Sequence, residues 1–182
     1  MKIAVPVTSV AGEKRDVSFL SIIIKDIEKN EVSSFEKIVL ENISANNGFI
    51  SKGEENEVLA LFLDALDAIK AALDVKEKTG PINVIMGMGI HTNATVIAKN
   101  DVLKYATIGS PILAARTLAQ KSKNNIMISK ETKAKVGATI KLEKKGDDLI
   151  VTGISRREDL RKDVERIVKD IKSQGKGFEV VR

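Results

Sequence analysis

Stretches of β-branched and aliphatic residues alternate along this chain with stretches whose apolar positions recur every three or four residues. The first pattern marks strands, the second amphipathic helices. KIAVPVT at 2–8 predicts a short strand, which Pro6 places at a sheet edge. AGEKRD at 11–16 reads as a polar loop and VSFLSIIIKDI at 17–27 as a buried strand. After a polar turn at 28–31, Val32, Phe35, Val39, Leu40 and Ile43 follow helical spacing. Ser33 and Glu36 offer a capping box to that helix, and Asn46-Asn47-Gly48 a left-handed stop.

FISK at 49–52 and EVLALF at 57–62 predict a hairpin around the polar turn GEEN. A second helix runs from about Leu63 to Lys78 and is stopped by Gly80-Pro81. INVIMGMGI at 82–90 is an apolar strand. HTNA at 91–94 then predicts a turn into a return strand, TVIA at 95–98, and VLKYATI at 102–108 a further strand. Ser110-Pro111 supplies an N-cap and a first-turn proline to a helix ending near Asn124. IMIS at 126–129 is a short strand, KETKAKVG at 130–137 a short helix, and 138–154 a hairpin turning at Lys145-Gly146-Asp147. A last helix at about 157–173 and a strand GFEVV at 177–181 complete the chain. Strands and hairpins interleaved with helices predict an α+β fold with a mixed or antiparallel sheet. A single domain spans 1–182, with 1–16 as an extension strand and loop and 157–182 as a C-terminal helix and strand.

Composition narrows the chemistry. The chain has 182 residues, 43% of them apolar, which is enough to build one core. It has no cysteine, so disulfides, thiolate metal sites and a cysteine nucleophile are excluded. No apolar run reaches the roughly 18 residues of a membrane span, and the N-terminal segment has no signal-peptide pattern, so a cytoplasmic protein without membrane contact is expected. Abundant Lys and Glu without Trp or Cys fit a heat-adapted source. The net charge of +5 comes from 30 basic and 25 acidic residues that are largely interleaved, as in RREDLRKDVERIVKDIK at 156–172. Pairs such as Glu158–Lys162 and Glu165–Lys169 mark a solvated helix face. Aromatics are 3%, too few for a base-stacking platform, so nucleic-acid binding is the least favoured partner class. His91 is the only histidine and cannot build a metal site alone. Gly87-Met88-Gly89 lacks the third glycine, the lysine and the following helix of a phosphate loop.

Three ordered blocks resemble a known family. MGMGIHTN at 86–93 is similar to the G-I-H-T-G signature of class III adenylate and guanylate cyclases. KYATIGSPILAARTL at 104–118 is similar to that family's Y-x-x-x-G stretch and following N-L-A-A-R helix, and IMISKET at 126–132 to its I-L-V-S-E-E-T turn. Upstream, IIIKDI at 22–27, ANNG at 45–48 and ISKGEENEVLALF at 50–62 resemble its first strand, helix end and hairpin. The resemblance covers about residues 17–140. It implies a ferredoxin-like, cyclase-type sheet with helices packed mainly on one face, and a homodimer whose site forms between subunits.

In that family two carboxylates hold two metal ions, an Asn and an Arg act on the transition state, and a Lys with an acidic partner reads the purine. By the resemblance, the metal carboxylates fall on Asp26 and Asn56, the base-reading pair on Lys52 and Ala106, and the transition-state pair on Ile112 and Arg116. Asp26, Lys52 and Arg116 keep the family's residue types. Asn56, Ala106 and Ile112 do not, and because GSPILAAR is one residue short the transition-state Asn either falls on Ile112 or is deleted. A neutral amide at Asn56 cannot supply the charge a hard divalent cation requires. The resemblance therefore implies a cyclase-homology domain that has lost catalysis and acts as a dimeric binding or regulatory module, with a nucleotide as candidate ligand. Two alternatives stand beside it. One is a divergent active cyclase using Mg or Mn, with Glu55 or Glu57 as the replacement carboxylate. The other is a nucleic-acid-binding protein. On plainer readings Asp26 is a turn residue, Glu54 to Glu57 a solvated hairpin tip, and Arg116 a residue on a solvated face or the partner of a local acid.

A second resemblance is shorter. MKIAVPVTS at the start and SIIIKDIEKNEVSSFEKIVLEN at 21–42 are similar to the dinitrogenase iron–molybdenum cofactor-binding family. It would make 28–40 part of a strand hairpin. Its cluster chemistry would want thiolate or imidazole ligands, which a chain with no Cys and one His does not offer.

Overall fold

The computed structural model describes residues 12–53, 56–98 and 110–155, together with Val168. The expected elements at 2–8, 102–108, 157–173 and 177–181 lie outside these residues, as do Glu54, Glu55 and Ala106.

Strand β1 (Gly12–Ile27) is the axis of the sheet. It is followed by α1 (Val32–Ala45), β2 (Phe49–Lys52), β3 (Glu57–Phe62), α2 (Ala65–Lys78) and β4 (Val84–Ala98). Then come α3 (Ser110–Lys121), β5 (Ile126–Ile128), α4 (Lys130–Val136), a short 3-10 turn, β6 (Ile140–Lys145) and β7 (Asp148–Ile154). The seven strands lie in the order β2-β3-β1-β4-β5-β7-β6. Every neighbouring pair is antiparallel except β4 and β5. This is the α+β fold expected from the pattern.

Alternation along β1 builds two cores. Leu20 and Ile22 join Ala60, Phe62, Met86, Met88 and Ile90 on one face. There they meet Phe35, Val39 and Ile43 of α1, Ala68, Ile69, Ala72 and Val75 of α2, and Val136 of α4. Val17 and Phe19 face the other way, with Leu59, Leu61, and Ile112 and Ala115 of α3. Among the described residues, α1, α2 and α4 therefore cover one face and α3 the other. Helix α3 can sit against β4 because Gly87 and Gly89 carry no Cβ where the Ala119 and Ala115 carbonyls approach.

Several local expectations are corrected. The polar stretch 11–16 is not a loop: β1 begins at Gly12, and Glu13–Asp16 pair with Ala94–Ile97. Residues 91–94 make no turn, because β4 runs unbroken through them to Ala98. Each strand supplies the other's backbone partners, and that ladder overrides polar composition. The capping box does not form. Glu31 is the N-cap of α1, without a side-chain cap bond, and Ser33 lies inside the helix. The Glu31 carboxylate accepts instead from the Asn83 N–H at 2.8 Å, tying the helix start to the approach to β4. The stop is as expected. Asn46 is the C-cap, Asn47 takes φ 61°, and the Gly48 N–H reaches the Ile43 carbonyl at 2.9 Å. A helix over 32–45 also overturns the strand that the dinitrogenase-type resemblance required. Helix α2 starts at Ala65 rather than Leu63, capped by Asp64, whose carboxylate accepts from the Leu66 N–H at 2.6 Å.

Candidate functional site

Of the matched positions, Arg116 lies where β1, β3 and α3 pack. Glu57 opens β3 on the same side as Leu59 and Leu61, facing Ile23 of β1. That side lies under α3, so Glu57 points inward and its side chain is only 3% exposed. A carboxylate so buried is costly unless its oxygens are satisfied. Here they are. Arg116 of α3 donates Nε to Oε1 at 3.0 Å and Nη2 to Oε2 at 2.7 Å. Ser21, fully buried on β1, donates Oγ to Oε1 at 2.7 Å. Three elements thus converge on one carboxylate.

Glu57 is therefore not part of a solvated hairpin tip. Its position at i−2 and i−4 from two buried leucines was the sequence signal that it faces inward. Arg116 pairs with an acid, though one 59 residues away rather than a local neighbour.

The other matched residues lie on β1, β2, the turn before β3 and α3. Asp26 is exposed near the end of β1, just past an irregularity in the β1–β4 register between Ile24 and Asp26. Lys25, at that irregularity, donates Nζ to the Gln120 carbonyl at 2.9 Å and also to the Ser122 carbonyl. Asn56 is exposed with φ 63°, a left-handed conformation that Asn tolerates, and its carbonyl accepts from the Ile24 N–H at 2.8 Å. Lys52 lies on β2 opposite Val58. Ile112 is buried in the core under α3 and offers no polar group.

This donor set does not fit two divalent cations. Asp26 is a single exposed carboxylate, and Asn56 is an amide. Glu57 faces Ile23, three residues before Asp26, a backbone separation of ~10 Å along the strand. Paired catalytic metals sit about 4 Å apart and share ligands. Both oxygens of Glu57 are already engaged. Among the described residues no group of three or more His, Asp or Glu is placed to hold a metal ion.

His91 stands on β4, on the α3 side. Its Nδ1 is buried without a hydrogen-bond partner among the described residues, and the Glu131 carboxylate is 3.7 Å away. Burial pushes the imidazole pKa down, and Glu131 opposes this in part. A cavity of about 620 Å³ lies elsewhere, between α2 and β7, and is lined by Leu73, Asp74, Val151 and Ile154 among others.

No family model matches the chain, and no curated protein matches it in sequence. Solved structures do match in shape. The catalytic core of a rhodopsin-guanylyl cyclase with converted specificity, in complex with ATPαS, superposes with a TM-score of 0.65 at 12% identity, over 78% of this chain and 98% of that one. The adenylyl cyclase CyaB from P. aeruginosa gives 0.62 at 16% identity, over 80% and 97%. The monomeric guanylyl cyclase domain of the RhoGC fusion protein from the aquatic fungus Blastocladiella emersonii gives 0.64 at 13%, over 79% and 99%. The chain therefore has the fold of the class III adenylate and guanylate cyclase catalytic domains.

Proposed function

We propose that this domain is a cyclase-fold binding module that has given up cyclisation, works as a homodimer and takes a nucleotide as its ligand. The observation that carries this reading is the engagement of Arg116 by Glu57 within one chain. A guanidinium that must stabilise charge developing on a phosphate has to be free to meet it. This one already holds a carboxylate along its bidentate edge. Asn56 at the second carboxylate position and Ile112 at the position of the transition-state amide support the same conclusion. Nucleotide binding is supported by the fold and by the retained Lys52 and Asp26. Dimerisation is supported by the fold alone, whose similar structures include a monomeric and a dimeric form of the RhoGC domain.

Two measurements on the purified full chain test the reading. Incubation with ATP or GTP and Mg²⁺ or Mn²⁺ is expected to yield no cyclic product. A thermal-shift screen of nucleotides, with and without metal, is expected to raise the melting temperature for at least one of them. Cyclic product that disappears in Asp26→Ala would establish the active-cyclase alternative. No shift with any nucleotide would remove the ligand from the proposal. Equilibrium sedimentation at micromolar concentration tests the dimer, and a monomer there would remove that part.

A further inference from the structure

The Ser21–Glu57–Arg116 cluster has the form of an occupied binding site. An arginine fork meeting a carboxylate through two parallel N–H···O bonds is the geometry by which proteins bind external carboxylates and phosphates. Here the anion is held by Nε and Nη2 of Arg116 and by the Ser21 hydroxyl, at 3.0, 2.7 and 2.7 Å. It is almost wholly withdrawn from water, while Arg116 keeps 21% of its side chain exposed. Mere docking of α3 on the sheet does not need such a group, since apolar contacts already do it through Ile112 and Ala115. A buried ion pair commonly adds little stability over apolar residues of similar volume.

We propose that Glu57 is a resident anion, filling a site formed by Arg116 and Ser21 and closing it to external carboxylate or phosphate groups. The pair is then an autoinhibitory contact inside one chain, and removal of the Glu57 carboxylate uncovers an anion site of carboxylate size. This goes beyond the functional reading above, because it concerns what Arg116 binds and not whether a nucleotide binds elsewhere on the domain.

Chemical rescue tests it. The melting temperature of the full chain is measured against sodium formate and inorganic phosphate, with ionic strength held constant by chloride. Wild type is expected not to respond. Glu57→Ala removes the carboxylate that meets Nε and Nη2 of Arg116 and is expected to melt about 10 °C lower. Formate or phosphate should then restore at least half of that loss, with a saturable concentration dependence. The double variant Glu57→Ala/Arg116→Met lacks the cation and should show no rescue. If Glu57→Ala does not fold, Glu57→Ser gives the same readout with a smaller cavity. The proposal is overturned if neither anion raises the single variant above its chloride control, or if the double variant is raised equally. Either result leaves the nucleotide screen on wild type untouched, so the two readings fail separately.

Discussion

Gly87 of β4 lies directly beneath the carbonyl of Ala119 in α3, with no room for a side chain between them. Gly89 stands in the same relation to Ala115, one pleat further along. The two glycines set how closely the helix carrying Arg116 approaches the sheet. Gly87→Ala would press a methyl group against helix backbone, which cannot rotate away. Overpacking of this kind costs about 1–3 kcal/mol, and backbone clashes lie at the upper end. A fall of about 4–10 °C in melting temperature is expected. Gly153→Ala, where an added Cβ meets nothing, should leave it unchanged.

That packing also shows how far the sequence could be read. The apolar run at 82–90, the α3 helix and their order were legible from periodicity and turn residues. The Gly-x-Gly spacing could be denied a phosphate-loop role but not given its actual one, because the partner backbone is some 30 residues away. Long-range pairing was likewise hidden. Glu13–Asp16 look like a loop until β4 supplies their ladder partners, and residues 91–94 look like a turn until β1 does. At the site, the changed family positions Asn56 and Ile112 could be named from spacing alone. The Glu57–Arg116 contact could not, since periodicity places Glu57 on an inward face without saying which residue meets it there.

A buried hydroxyl chain joins three elements behind the sheet. Ser18 and Thr92 lie 2.8 Å apart, Thr92 donates to Thr132 at 3.0 Å, and Thr132 donates to the Ile90 carbonyl at 3.2 Å. All three side chains are buried. Thr132→Val keeps the shape and takes away the acceptor of the Thr92 hydroxyl, while the Ile90 carbonyl keeps the Ser129 N–H at 3.0 Å. The expected cost is about 1–3 kcal/mol in urea unfolding, with an unchanged m-value. Thr132→Ser should recover most of it.

His91 gives the stability a pH dependence of known sign. Burial lowers its folded-state pKa below the unfolded value of about 6.5. A base depressed in this way holds its proton less readily when folded. Its contribution is complete above about pH 6.5 and is lost as pH falls through the folded pKa. Wild type should therefore lose melting temperature between about pH 7 and pH 5, and His91→Asn should flatten that limb. As the chain has one histidine, a single imidazole resonance reports the folded pKa directly by NMR. A midpoint at or above 6.5 would contradict the burial argument.

Lys25 closes the far end of the same helix. It sits at the register irregularity of β1, and its ammonium meets the Gln120 and Ser122 carbonyls just where α3 ends. These carbonyls belong to the last turn, where an α-helix leaves acceptors without internal partners. A cation there also complements the negative end of the helix dipole. Lys25→Met keeps most of the apolar stem and removes the donors, so a loss of about 1 kcal/mol is expected. The loss should be local. The Ser122 N–H, which bonds the Leu118 carbonyl at 3.0 Å, should exchange with solvent about fivefold faster, while amides in the core of β1 keep their rates. Equal acceleration throughout the sheet would mean that Lys25 supports the whole fold rather than the end of α3.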